Sequence, residues 1–62
     1  MQFEERYAVN TWTADGVVTT DEFDDMAEAL EDYTLASRAL GPGERAELRR
    51  FTSVTLASSA KA

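Results

Sequence analysis

Carboxylates are the side chains here best placed to do chemistry, and seven of the twelve fall within one twelve-residue stretch, DEFDDMAEALED, from Asp21 to Asp32. No Lys or Arg interrupts it, so the stretch carries −7 while the remaining five acids and six bases carry +1. Clustered carboxylate oxygens are ligands for hard cations such as Ca²⁺ and Mg²⁺. The spacing argues against that use. Asp21, Asp24 and Asp25 lack the alternating ligands, central Gly and distal Glu of a calcium loop, and the acids further along diverge around a helix. Paired carboxylates also run glycoside hydrolysis, one of them kept protonated as the acid. A chain of 62 residues has little room for the pocket of roughly 300 Å³ or more that such a substrate needs. Ser53, Ser58 and Ser59 have no His to activate them, Lys61 lies in a small-residue tail, and no Gly-rich phosphate loop is present. The expectation is therefore no catalytic residue, no metal and no cofactor: not an enzyme.

What is left to the acids is solubility or recognition, and a helix must position them. Asp25 followed three residues later by Glu28 matches a capping box, which starts a helix near Met26 with Phe23 packed against its first turn. Gly41-Pro42-Gly43 stops it after Leu40, with Gly41 in the left-handed cap. At 100° per residue, Met26, Ala29, Leu30, Tyr33, Ala36, Ser37 and Leu40 share one side, leaving Glu28, Glu31, Asp32, Leu35 and Arg38 on the other. Glu28 with Asp32 and Glu28 with Glu31 are like-charge neighbours that no nearby cation relieves. The helix dipole rewards acids only in the first turn. Glu31 and Asp32 lie beyond it and around an apolar Leu35, the layout of an anchor with a charged rim. Glu28, Glu31, Asp32 and Leu35 are thus the expected partner-binding surface; a merely solvated face is the alternative.

The sheet beneath the helix is written in the flanking segments. Phe3 to Thr13 is rich in aromatic, Val and Thr residues, and Asp15-Gly16 supplies hairpin-turn chemistry before Val17 to Thr20. A three-residue loop of Ala14, Asp15 and Gly16 pairs Thr13 with Val17, Trp12 with Val18, Val9 with Asp21 and Tyr7 with Phe23. The segment AELRRFTSVTLAS favours a third strand by propensity. A right-handed crossover then gives sheet order 2-1-3, antiparallel throughout, one helix on one face: an α+β fold of β-β-α-β order. Residues 1–57 are expected to form the domain and 58–62 a flexible tail. The face away from the helix receives Ala8, Trp12, Val18 and Phe51, bordered by Arg6 and Arg49. Aromatic and Arg enrichment suits an interface, so Trp12, Val18 and Phe51 are the expected dimer face; a shifted register would instead place Trp12 in the core.

FDDMAEALEDY followed by GPGERAELRRFTSVTLASS resembles small strand-strand-helix-strand proteins encoded by bacteriophages of actinobacteria. The resemblance implies a phage or actinobacterial source and that fold; it carries no activity and transfers no functional residue. A short chain without Cys or His has no staple and gains buried area by pairing, so a homodimer is expected, through the open sheet face or an edge strand. The bases Arg38, Arg45, Arg49, Arg50 and Lys61 make only a weak footprint against a net charge of −6, so nucleic acid is not expected as a direct partner. No apolar run spans a membrane and the start lacks the order of a signal peptide, which reads as cytoplasmic in a host cell with no membrane contact. The functional expectation is a non-catalytic interaction module binding a host or phage protein. An acidic nucleic-acid mimic that blocks a host DNA- or RNA-binding defence enzyme is the alternative.

Overall fold

The hairpin turn sets the register of everything that follows. In a computed structural model, which describes residues 2–59, Gly16 takes φ +90° and the amides of Thr13 and Gly16 bond the carbonyls of Val17 (2.9 Å) and Thr13 (3.0 Å). Only a residue without Cβ takes this conformation cheaply. The result is the three-residue loop expected from Asp15-Gly16, joining β1 (Gln2–Trp12) to β2 (Val18–Phe23). Trp12 faces Val18, Val9 faces Asp21 and Tyr7 faces Phe23. α1 (Met26–Arg38) then carries the chain across β1 to β3 (Arg45–Thr55). The sheet is antiparallel in the order β2-β1-β3, so the α+β, β-β-α-β architecture read from the sequence is the one the chain adopts.

The core is small because a single helix covers a single sheet. Val9 on β1 and Ala29 on α1 are 1 % and 0 % exposed, and Ala8 on the opposite sheet face is also buried. Ala29 marks the closest approach of helix to sheet, where a longer side chain would hold the two apart. Tyr33, Ala36 and Ser37 are half-buried along the same stripe, whereas Met26 and Leu30, expected inside, are nearly half exposed. The buried stripe is therefore centred on Ala29, Tyr33 and Ala36, rotated from the one drawn by the apolar pattern.

The helix ends differ from expectation in one respect. Asp25 caps the start in an extended conformation, its carboxylate accepting from the Ala27 amide at 3.1 Å. At the other end the helix stops at Arg38 with Ala39 as the cap, and Gly41 does not take positive φ. Gly43 does, at +80°. Pro42 is the reason: with φ fixed it occupies the first central position of a turn closed by the Glu44 amide on the Gly41 carbonyl at 3.1 Å, and positive φ falls to the next residue. The freed Gly41 amide donates to the Glu44 carboxylate at 2.6 Å.

β1 and β3 run side by side for eleven residues, from Gln2 opposite Thr55 to Trp12 opposite Arg45, while β2 stops at Phe23 opposite Tyr7. Beyond Tyr7 the sheet is a two-stranded ribbon, and the molecule is 47 Å along its longest axis. Ser58 and Ser59 of the expected tail are exposed and without regular structure, while 60–62, with Lys61, lie outside the described residues.

Candidate functional site: the acidic groove between β2 and α1

The turn between β2 and α1 is tight enough that the strand and the helix form the two walls of a groove. Phe23, the last residue of β2, lies on the helix side of the sheet because it pairs with Tyr7. From the helix come Glu28, Glu31, Asp32 and Leu35, at i, i+3, i+4 and i+7, one face of a helix. These five residues line an open groove of about 280 Å³. The four residues expected to form a binding surface are thus brought together. Phe23, expected to pair with Tyr7 and to pack on the first helical turn, is the apolar contribution from the sheet; it is not among those four because the helical wheel considers α1 alone.

Leu35 is 60 % exposed and Phe23 half-buried, so the groove has an apolar floor and lip with carboxylates around them. Asp32 is drawn further in than its position on the helix alone indicates. Partial burial, then the charge of Asp21 and a hydrogen bond with it, push the Asp32 carboxyl above its ordinary value. Asp21 sits two residues before Phe23 on the same face of β2, so the two carboxylates meet across the seam. The geometry suits a ligand that brings positive charge to the rim and an apolar group to Leu35 and Phe23. Among the described residues no three acids converge where a metal ion would sit.

The open face of the sheet is organised otherwise. Trp12, Val18 and Phe51 do fall on it together, as the register requires. Only Val18 is truly exposed, at 51 %; Trp12 lies beneath the Arg45 guanidinium, 4.0 Å from the ring centroid. Polar side chains cover the centre. Asn10 accepts from the Thr20 hydroxyl at 2.6 Å and donates to Glu47 at 3.4 Å, and Glu47 is 3.4 Å from Arg49. Arg6 pairs with Asp24 and stands 3.8 Å from Glu22. Ala8 is buried in the middle of this cover. The aromatic rings are therefore not left bare, which removes the expected reason for a second copy to cover this face.

Charge is sorted by flank. Asp21, Glu28, Glu31 and Asp32 crowd the β2 side, whereas Arg45, Arg49 and Arg50 lie on β3 at the opposite edge. No helix among the described residues is long and apolar enough to cross a membrane. No protein-family model, curated protein or solved structure matches the chain.

Proposed function

We propose that this is a small non-catalytic interaction module, encoded by a phage of actinobacteria, that binds a host or phage protein in the cytoplasm through the groove between β2 and α1. One observation carries the reading: Glu28, Glu31, Asp32 and Leu35 line one groove with Phe23. Exposed acids alone serve solubility, but acids around an accessible apolar anchor supply both steering and a desolvated contact. The partner surface has a basic rim and an apolar protrusion.

The segregation of acids on one flank also favours the second reading, a mimic of a nucleic-acid backbone seated in a basic cleft of a host enzyme. Salt separates the two. A carboxylate-dominated complex weakens steeply as salt is raised, while one anchored by Leu35 and Phe23 persists.

The test is affinity capture from an actinobacterial host lysate, repeated with variants against whatever partner is recovered. Leu35→Ala should weaken binding roughly tenfold with the fold intact. Reversing Glu31 and Asp32 to Lys should chiefly slow association. A partner that binds both variants as tightly as the parent protein sinks the proposal.

A further inference from the structure

The sheet edge opposite the acids carries unsatisfied structure. β3 is an outer strand over all eleven residues from Arg45 to Thr55, so alternate peptide groups along it offer N–H and C=O outward. Its two halves differ. Near Ala46 to Arg50 the helix overhangs the strand, Met26 lying beside Leu48 and Arg50. Leu30, one turn further, points to the same side, and these two apolar side chains are 45 % and 47 % exposed. Beyond Phe51 neither helix nor β2 covers the ribbon. Phe3 and Val54, paired across it, and Leu56 just past its end are left in water.

We propose that a second copy of this chain pairs with β3 along this edge, antiparallel, about a two-fold axis through Phe51 and perpendicular to the sheet. Such an axis keeps both helices on one side of a continuous sheet, so each residue meets one that faces the same way. Centred on Phe51, the register sets that ring against its own copy, Leu48 against the partner's Val54, Arg49 against the partner's Ser53 and Arg50 against the partner's Thr52. No like charges stand directly opposed. Moving the centre to Arg49 or Arg50 sets an Arg against itself, and moving it to Thr52 sets Arg50 against Val54. Centring on Leu48 matches Glu47 with Arg49 but engages only seven strand residues, 45–51, instead of nine, 47–55, and leaves Val54 and Leu56 bare.

Two further features select the second copy as the occupant. The uncovered end of each ribbon is brought beside the overhung half of the other, so Val54 and Leu56 enter the space next to Leu48 and beneath Met26 and Leu30. Each copy also keeps its acidic flank at the far end of the assembly. The opposite choice, β2 against β2, would bring together Asp21 and Glu22 of both copies. The dimer stands apart from the groove reading, since the groove lies on the other flank; either can fail without the other.

The chain has no cysteine, so each introduced thiol is unique and its coupling reports position. Oxidising an equal mixture of Arg49→Cys and Ser53→Cys proteins should give heterodimer well above its statistical share, because those positions oppose one another. Sedimentation equilibrium of the parent at high micromolar concentration should give twice the chain mass of 6.9 kDa. Val54→Lys, at a site exposed in the single chain, should raise the dissociation constant roughly tenfold. A parent that stays monomeric, or heterodimer at or below its statistical share, overturns the proposal. Preferential self-coupling of a Val18→Cys protein would overturn it in favour of the open face.

Discussion

Asp21 of β2 and Asp32 of α1 meet where strand and helix adjoin: burial, then the charge and hydrogen bond of Asp21, raise the Asp32 carboxyl above its ordinary value. A cationic ligand in the groove would offset that cost at Asp32.

The raised Asp32 carboxyl has a pH signature. Where the folded value of an acid lies above its unfolded value, near 3.8 for Asp32, the folded state binds more protons between the two, and stability falls as pH rises through the folded value. The contribution of Asp32 is most favourable below its ordinary value and lost above the raised one. Asp32→Asn should therefore raise the urea midpoint at pH 7 and flatten its dependence on pH in the mildly acidic range. A lower midpoint at pH 7 would contradict this, and would mean the carboxylate makes a favourable contact in the folded chain.

Packing makes a second prediction. Val9→Ala removes two methyl groups from the largest fully buried side chain among the described residues and should cost about 2–3 kcal/mol. Ala29→Leu should cost about 1–3 kcal/mol by forcing helix from sheet. Chemical denaturation measures both, and against a small domain's marginal stability either variant should be substantially unfolded at 37 °C.

The two glycines of the 41–43 turn should respond unequally. Gly43→Ala places a side chain at φ +80° with its Cβ 3.3 Å from that of Ala14, for a cost of about 1–2 kcal/mol. Gly41→Ala meets only the movable Glu44 carboxylate at 3.0 Å and should cost less. If thermal melts show Gly41 to be the more sensitive, the turn is not the one described.

The Trp12–Arg45 stack is open to fluorescence. Arg45→Ala uncovers the indole and should shift Trp12 emission to longer wavelength while destabilising by about 0.5–1 kcal/mol. An unchanged emission maximum would show that the guanidinium does not shield the ring in solution.

The hairpin was legible because Asp15-Gly16 restricts the loop, and one choice of register gathers Tyr7, Val9 and Phe23 on one face. The strand order followed from connectivity. The helix face was read less well, since apolar pattern treats Met26, Ala29 and Leu30 alike, whereas a short helix over a narrow sheet puts its smallest residue at the point of contact and leaves long ones at the flanks. Gly41 was assigned the left-handed conformation that Pro42 passes to Gly43. Arg45's place over Trp12 needed a pairing known only once the third strand is laid down, and Phe23's place in the groove needed the strand and helix faces taken together.

The central strand takes its longer neighbour from the far end of the chain: Gln2 lies against Thr55 and Arg6 against Phe51. Hairpin and helix can form from local contacts, but β1 has a bare edge until β3 arrives over closures of 33 residues, from Trp12 to Arg45, up to 53, from Gln2 to Thr55, the slowest kind of step for a domain this size. The order of assembly therefore leaves Val9 and Ala8 on a strand with one edge unpaired until late in folding. Sequences that weaken β3, more than those that weaken the helix, should lower the yield of soluble protein before they lower the stability of what has folded.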